Sequence, residues 1–338
     1  MKEQEIKIIQ GLQPIRHMAL AQSLFNLFSS GLYDYLNENK VSVSQCATDL
    51  QFDKTRLTAF LKYLRNEGIV SMDDVVSLTE YAKSFELTRP WYEMMVGGYS
   101  ETFLSMGEGL KAEAEPLSRN ATWVGIGSCG ISQFDSIPIV RNIIERAELS
   151  PKTICDLGCG SAVYLTELCN DLPQANAIGI EPDLGGSLAA INHVSECGLS
   201  DRIDIVQADA ISYIESMNEK PDLLLLCFVI HEVLGQSGED AAIEMLKRAM
   251  AGNADQRLII IDIDYLIDDK KSMQHGLGLA HYNPYLLLHP FTSQRLEKQQ
   301  YWDSLFAKAG LEVIDKQYTL PEMDSTNICM GWLLKRKN

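Results

Sequence analysis

The sequence predicts an α/β fold, a doubly wound sheet over its second part preceded by a smaller, mainly helical domain. Three observations lead there. Short apolar runs recur at the spacing of βα units from about residue 137 onward. A glycine turn, Gly158-Cys159-Gly160, directly follows the first of those runs. Ahead of residue 110 the apolar residues fall at helical spacing instead.

In chain order, Met18, Leu20, Ala21, Leu24, Phe25, Leu27 and Phe28 give a broad apolar face with a helical period. Residues 43–50 and 54–61 read as two short helices, with Ser42 or Ser44 and Asp53 as caps. Gly68-Ile69-Val70 and Val75-Val76-Ser77-Leu78 flank Met72-Asp73-Asp74 as a hairpin would. Three helices and a small β-wing make a winged-helix-like order. Its common use is reading DNA, but Lys54, Arg56, Lys62 and Arg65 are diluted among acids. A dimerisation and substrate-covering role is expected instead, with residues 91–115 as linking helices that roof a pocket. The expected division is 1–110 and 111–338.

In the second part, residues 154–156, 177–181, 203–207, 223–228 and 258–263 are candidate strands, and 241–250 reads as one of the intervening helices. A last pair, 311–318 and 329–335, adds strands at the end. Ligands of such a sheet bind outside the carboxyl ends of its strands.

Composition narrows the function. The 338 residues suffice for two domains, and the formal net charge of -17 disfavours broad binding to nucleic acid or to an anionic membrane surface. The charged start, Met1-Lys2-Glu3-Gln4-Glu5, leads into no apolar segment, and no run of 18 apolar residues follows, so a cytoplasmic location is expected. Eight cysteines lack a CxxC pair, which suggests buried thiols in place of disulfides or zinc.

The chemistry begins at Ile154-Cys155-Asp156-Leu157-Gly158-Cys159-Gly160-Ser161-Ala162. A second apolar run, Ala177-Ile178-Gly179-Ile180-Glu181, ends in an acid 25 residues after Asp156. Glycines let a backbone approach a ligand closely, and an acid at the next strand end can grip a ribose diol. A dinucleotide fingerprint would need glycine where Val163 stands, and no Gly-Lys-Ser/Thr follows to make a P-loop. A nucleoside cofactor without phosphates fits best. In S-adenosylmethionine, Asp156 with Gly158 and Gly160 would hold the amino-acid part, Glu181 the ribose, and Asp209 with Ala210 the adenine; Phe228 would stand at the fourth strand end.

These motifs resemble the Rossmann-like, class I S-adenosylmethionine-dependent methyltransferases. After the fourth strand, Cys227-Phe228-Val229-Ile230-His231-Glu232-Val233 resembles the caffeate-type small-molecule O-methyltransferases, in which a His-Asp pair follows that strand. The resemblance implies His231 as general base, Glu232 in place of the aspartate, Asp262 orienting the histidine, and a homodimer built through the N-terminal domain. Gln294, in Thr292-Ser293-Gln294-Arg295, stands where that family has a glutamate, which weakens a phenol-deprotonation scheme.

His275, His281 and His289 then fall within fifteen residues. Converging neutral imidazoles can bind Zn²⁺ or another divalent ion, which would act as a Lewis acid on a carbonyl; His231, His281 and His289 are the expected ligands and His275 the bystander. Gly11 to Ala21, His231-Glu232 and the segment 281–289 also resemble the α-keto acid C-methyltransferases. That likeness implies methylation at the β-carbon of a 2-oxo acid in secondary metabolism, with 5-guanidino-2-oxopentanoate favoured and His231, Asp262 and His289 catalytic. Glu101, Glu108 and Glu232 are candidates for its guanidinium. Two alternatives stand beside it: O-methylation of a phenol or other hydroxyl with His231 as base, and a regulator that only senses the cofactor.

Overall fold

The computed structural model describes residues 2–252 and 254–337; Met1, Asn253 and Asn338 lie outside the described residues. The chain divides into two compact units between Gly98 and Tyr99. The segment 99–110 therefore belongs with the second unit.

In the first unit, helices Glu3–Ser29, Leu32–Glu38, Val43–Asp49 and Lys54–Asn66 precede an antiparallel pair, β1 (Val70–Met72) and β2 (Val76–Leu78). Ser42 and Asp53 cap the third and fourth helices, their side chains accepting the Gln45 and Arg56 amides at 3.2 and 2.8 Å. Leu24, Leu27, Phe28, Leu57, Leu61, Leu64 and Val76 form one buried core. The first helix runs well ahead of the expected apolar face because residues 2–12 are exposed and carry no core-facing period.

The second unit holds β3 (Thr153–Leu157), β4 (Asn176–Ile180), β5 (Ile203–Val206), β6 (Leu223–Cys227), β7 (Arg257–Ile263), β8 (Leu311–Tyr318) and β9 (Cys329–Arg336). They form one sheet in the order β5-β4-β3-β6-β7-β9-β8, parallel except around β9, which runs antiparallel to both neighbours. Every expected strand is present.

Side-chain alternation explains the layers. Ile154, Leu225, Ile259 and Ile261 face a cluster shared with helices Ser136–Arg146, Val163–Asp171 and Leu184–Glu196. Cys155, Leu224, Leu226, Leu258 and Ile260 face the opposite cluster, with helices Ile230–Ala249 and Gln299–Lys308 and the buried Trp302 and Phe306. β6 reads Leu-Leu-Leu-Leu-Cys and is buried throughout, as a strand covered on both faces must be. All eight cysteines are free thiols, and Cys155, Cys159, Cys169 and Cys227 are buried. Among the described residues, no helix is long and apolar enough to cross a membrane.

The chain reverses direction across the sheet between β3 and β6: β4 lies on one side of β3, β6 on the other. The loops leaving the carboxyl ends of these two strands therefore part, and a crevice opens between them.

Candidate active site

The crevice is built first by the turn after β3. Gly158 and Gly160 have φ of +84° and +53°, a region that side chains rarely adopt. The Gly158 and Cys159 amides donate to the Ile180 carbonyl at 2.8 and 3.1 Å, which ties the turn to the end of β4. A Cβ on Gly158 would lie 2.9 Å from Val229 Cγ2, so the approach of the loop after β6 also requires glycine. Val163, where a dinucleotide site would have glycine, is buried in the core beneath the helix it begins.

Asp156 and Glu181 are two of the four carboxylates that face the resulting cleft of about 370 Å³. Glu181 accepts the Gly160 amide through Oε2 and the Asp183 amide through Oε1, both at 3.0 Å, so its position is fixed by backbone. Burial still raises its pKa. Asp156, 1% exposed, has no hydrogen-bond partner at Oδ1. Burial, with the Glu181 charge adding to it, pushes its pKa up to about 7. A buried acid without a donor at the wall of a cleft suits a cationic ligand, and the amino-acid part of S-adenosylmethionine supplies one. Phe228 lines the same cleft at φ +57°, a strained conformation for an aromatic residue.

A second polar group lies behind the cleft wall, next to Glu232. His231, in the first turn after β6, is buried, and its Nδ1 lies 3.1 and 3.0 Å from the two oxygens of Asp262 on β7. This contact assigns the proton to Nδ1 and leaves a lone pair on Nε2. Burial lowers the histidine's pKa, but the Asp262 carboxylate outweighs it and the net shift is upward. The Gln294 amide donates to His231 Nε2 at 3.3 Å and to Glu232 Oε1 at 3.1 Å, while its oxygen accepts from Thr292 and Tyr99 at 3.0 and 3.3 Å. Glu232 also receives Arg119 at 2.8 Å, and Arg119 reaches the Tyr99 hydroxyl at 3.4 Å. Arg119 and Glu232 line the cleft, and His231 lies buried behind that wall, joined to Glu232 through the Gln294 amide.

His289 donates from Nδ1 to the Tyr285 carbonyl at 2.8 Å, which leaves its buried Nε2 as an acceptor without a partner. Burial first, then the neighbouring His231, pushes its pKa well down, so the ring is neutral. Its centroid is 5.4 Å from that of His231. A donor-free lone pair beside a histidine–aspartate pair is the equipment of a proton-transfer site.

No family model matches the chain. The 2-ketoarginine methyltransferase of Streptomyces arginensis is 36% identical over 340 residues, covering 98% of this chain and 97% of that protein. The chain belongs to the same family, the class I S-adenosylmethionine-dependent methyltransferases. A methyltransferase of Aspergillus campestris, ungE', is 23% identical over 301 residues, 85% of this chain and 86% of its own. Among solved structures, the mitomycin 7-O-methyltransferase MmcR superposes with a TM-score of 0.67 at 15% identity, covering 98% of both chains. An O-methyltransferase from neocarzinostatin biosynthesis, in complex with S-adenosylmethionine and 2-hydroxy-5-methyl naphthoic acid, gives 0.58 at 16% identity over 94% of this chain and 96% of its own.

In this methyltransferase the cleft gathers Asp156, Gly158, Gly160, Glu181 and Phe228. Asp209 and Ala210 are not among the lining residues. Asp209 is exposed on the loop after β5, the sheet's edge strand, and its side chain caps a helix by accepting the Ser212 amide at 2.8 Å.

The expected metal trio is corrected. Among the described residues no three His, Cys, Asp or Glu side chains are grouped to hold an ion. His281 and His289 are eight residues apart on a nearly continuous helical segment, 278–291, so their rise differs by about 12 Å. Tyr285 packs against both rings, at 5.6 and 4.3 Å between centroids. His275 stays outside, exposed and bonded to Ser325.

Sequence reading missed Arg119 and Tyr99, which meet Glu232 and Gln294 only through the fold. It also missed Gly235, where a Cβ would lie 2.6 Å from the Ser293 carbonyl oxygen and 2.8 Å from the Arg295 amide. Glycine there lets the strand of chain carrying Gln294 lie on the helix of His231, tied by the Arg295 amide to the His231 carbonyl at 3.0 Å.

Proposed function

We propose that this enzyme methylates the β-carbon of a 2-oxo acid, with 5-guanidino-2-oxopentanoate as the favoured acceptor. The observation that carries the acceptor is the 36% identity, over nearly the full length of both chains, with a protein named 2-ketoarginine methyltransferase. The site chemistry supports it. Bound in the cleft, S-adenosylmethionine supplies an electrophilic methyl group on a positively charged sulfur. Asp156 faces its ammonium group and Glu181 its ribose hydroxyls.

His231 Nε2 takes the proton from the carbon next to the ketone, exchanging its Gln294 contact for that proton. Asp262 balances the charge this leaves on the imidazole and holds the ring in the one tautomer that works. The carbon's electron pair then forms the new bond to the methyl group as the bond to sulfur breaks, and His231 returns its proton to solvent. His289 Nε2 offers a lone pair to an O–H or N–H of the acceptor.

Transfer of a labelled methyl group from S-adenosylmethionine to a panel of 2-oxo acids and phenols tests the reading. Label on carbon 3 of a 2-oxo acid is expected. Label on a phenol oxygen alone would replace this function by O-methylation, and no transfer to any acceptor would leave only cofactor sensing.

The reading brings with it a cytoplasmic biosynthetic enzyme that works as a homodimer through its first unit. Support for the dimer comes from the first helix, where Ile8, Leu12, Ile15 and Met18 are 60, 50, 59 and 60% exposed. Light scattering should give twice the chain mass; a single-chain mass at all concentrations rejects the dimer.

A further inference from the structure

The cleft is lined with acids, and an anionic acceptor has to enter it. Asp156, Glu181, Asp183 and Glu232 are on its wall, and among the described lining residues Arg119 is the one cationic side chain. We propose that Arg119 forms the subsite for the acceptor's carboxylate; this rests on the 2-oxo acid reading above.

Arg119 is held and not used up. Its side chain is 18% exposed. One N–H goes to Glu232 at 2.8 Å and one to the Tyr99 hydroxyl at 3.4 Å, whereas a guanidinium offers five in a planar fork. The Glu232 contact fixes the head group, and the remaining donors match the two oxygens of a carboxylate. Lysine could not offer that fork.

Position supports the assignment. Gln294 bonds both Glu232 and His231 Nε2, so one side-chain amide spans the gap from Arg119's partner to the base. In a 2-oxo acid only the ketone carbon separates the carboxylate from the carbon that loses its proton. A carboxylate on Arg119 therefore brings that carbon towards His231 and leaves the acceptor's tail to extend away from both. Arg119 is a binding and orienting residue; the proton goes to histidine.

The cofactor also carries a carboxylate, so the test separates the two sources. Calorimetry on enzyme saturated with S-adenosylhomocysteine compares 5-guanidinopentanoate with its primary amide, neither of which can react. The wild type should favour the acid, and Arg119→Gln should reduce the acid-to-amide affinity ratio by about 10- to 100-fold, a larger change than any in S-adenosylhomocysteine affinity. Arg119→Lys should keep part of the preference and serves if the glutamine variant does not fold.

An unchanged ratio, or a wild type that binds neither ligand, overturns the subsite. Lost S-adenosylhomocysteine affinity in both variants gives the arginine to the cofactor and overturns it equally. Because the ligands are inert, the ratio decides the subsite independently of the labelled-methyl panel. A wild type that prefers the acid but methylates no 2-oxo acid would retain the subsite and reject the function.

Discussion

Replacing His231 by asparagine should lower kcat by about 10²- to 10⁴-fold, the usual contribution of a positioned general base. Affinity for S-adenosylhomocysteine should not change, because His231 is not among the residues lining the cofactor cleft. Asparagine keeps an N–H for Asp262, which is fully buried and would otherwise lose its partner. The two effects are read by steady-state kinetics and calorimetry; turnover near the wild-type level would remove His231 from the chemistry.

The pH profile should carry the same signature. The histidine's pKa is raised above its ordinary value by the Asp262 carboxylate, which more than offsets burial. A base must be unprotonated to act, so kcat/KM should climb with pH through that raised value and then level off. With S-adenosylmethionine saturating throughout, the limb should vanish in the asparagine variant.

The parts of this site that sequence could reveal are local ones. The glycine turn, Glu181 and His231 each sit at the end of an apolar strand, where periodicity and neighbouring residues mark the position. Asp262 was implied by the family resemblance, and β7 is legible enough as a strand to place it. Arg119 carried no such mark. It meets Glu232 across 113 positions of chain, and Tyr99 meets Gln294 across 195. The folded sheet brings these pairs together, and no local pattern encodes them. Gln294 was read as a departure from a family pattern, whereas the fold makes it the bridge between the base and the Arg119–Glu232 pair.

The histidines went wrong for the opposite reason. Closeness in sequence is not closeness in space: a helical segment separates His281 from His289 by two turns, and among the described residues no three ligating side chains group to hold an ion. Asp209 has a similar lesson. An acid after a strand can hold a ligand or cap the helix that follows, and the structure shows the cap, through Oδ1 alone. The first helix was underread because its exposed half has no core to face.

Asp156→Asn should weaken S-adenosylmethionine binding by about 2 kcal/mol or more, the penalty for removing one charge from a buried ion pair. The substitution preserves shape, so the glycine turn should survive. In the wild type the effect is tied to pH. Asp156 is pushed up to about 7, above its ordinary 3.8, because burial penalises the anion.

Between those two values the folded, cofactor-free protein holds a proton that the unfolded chain has released. Stability from this group therefore falls as pH rises through the window and is flat above it. Asp135, likewise pushed up to about 7 by burial, acts in the same direction, so the Asp156 share is read as the difference between wild type and Asp156→Asn. A cationic ligand reverses the preference, since it favours the anion. Cofactor affinity should thus rise with pH up to about 7 and then level off, and be flat and weaker in the asparagine variant. Calorimetric titrations across that range check both slopes. A pH-independent wild type, or an asparagine variant that binds as tightly, would mean that the unpartnered carboxylate of Asp156 is not what holds the cofactor's positive end.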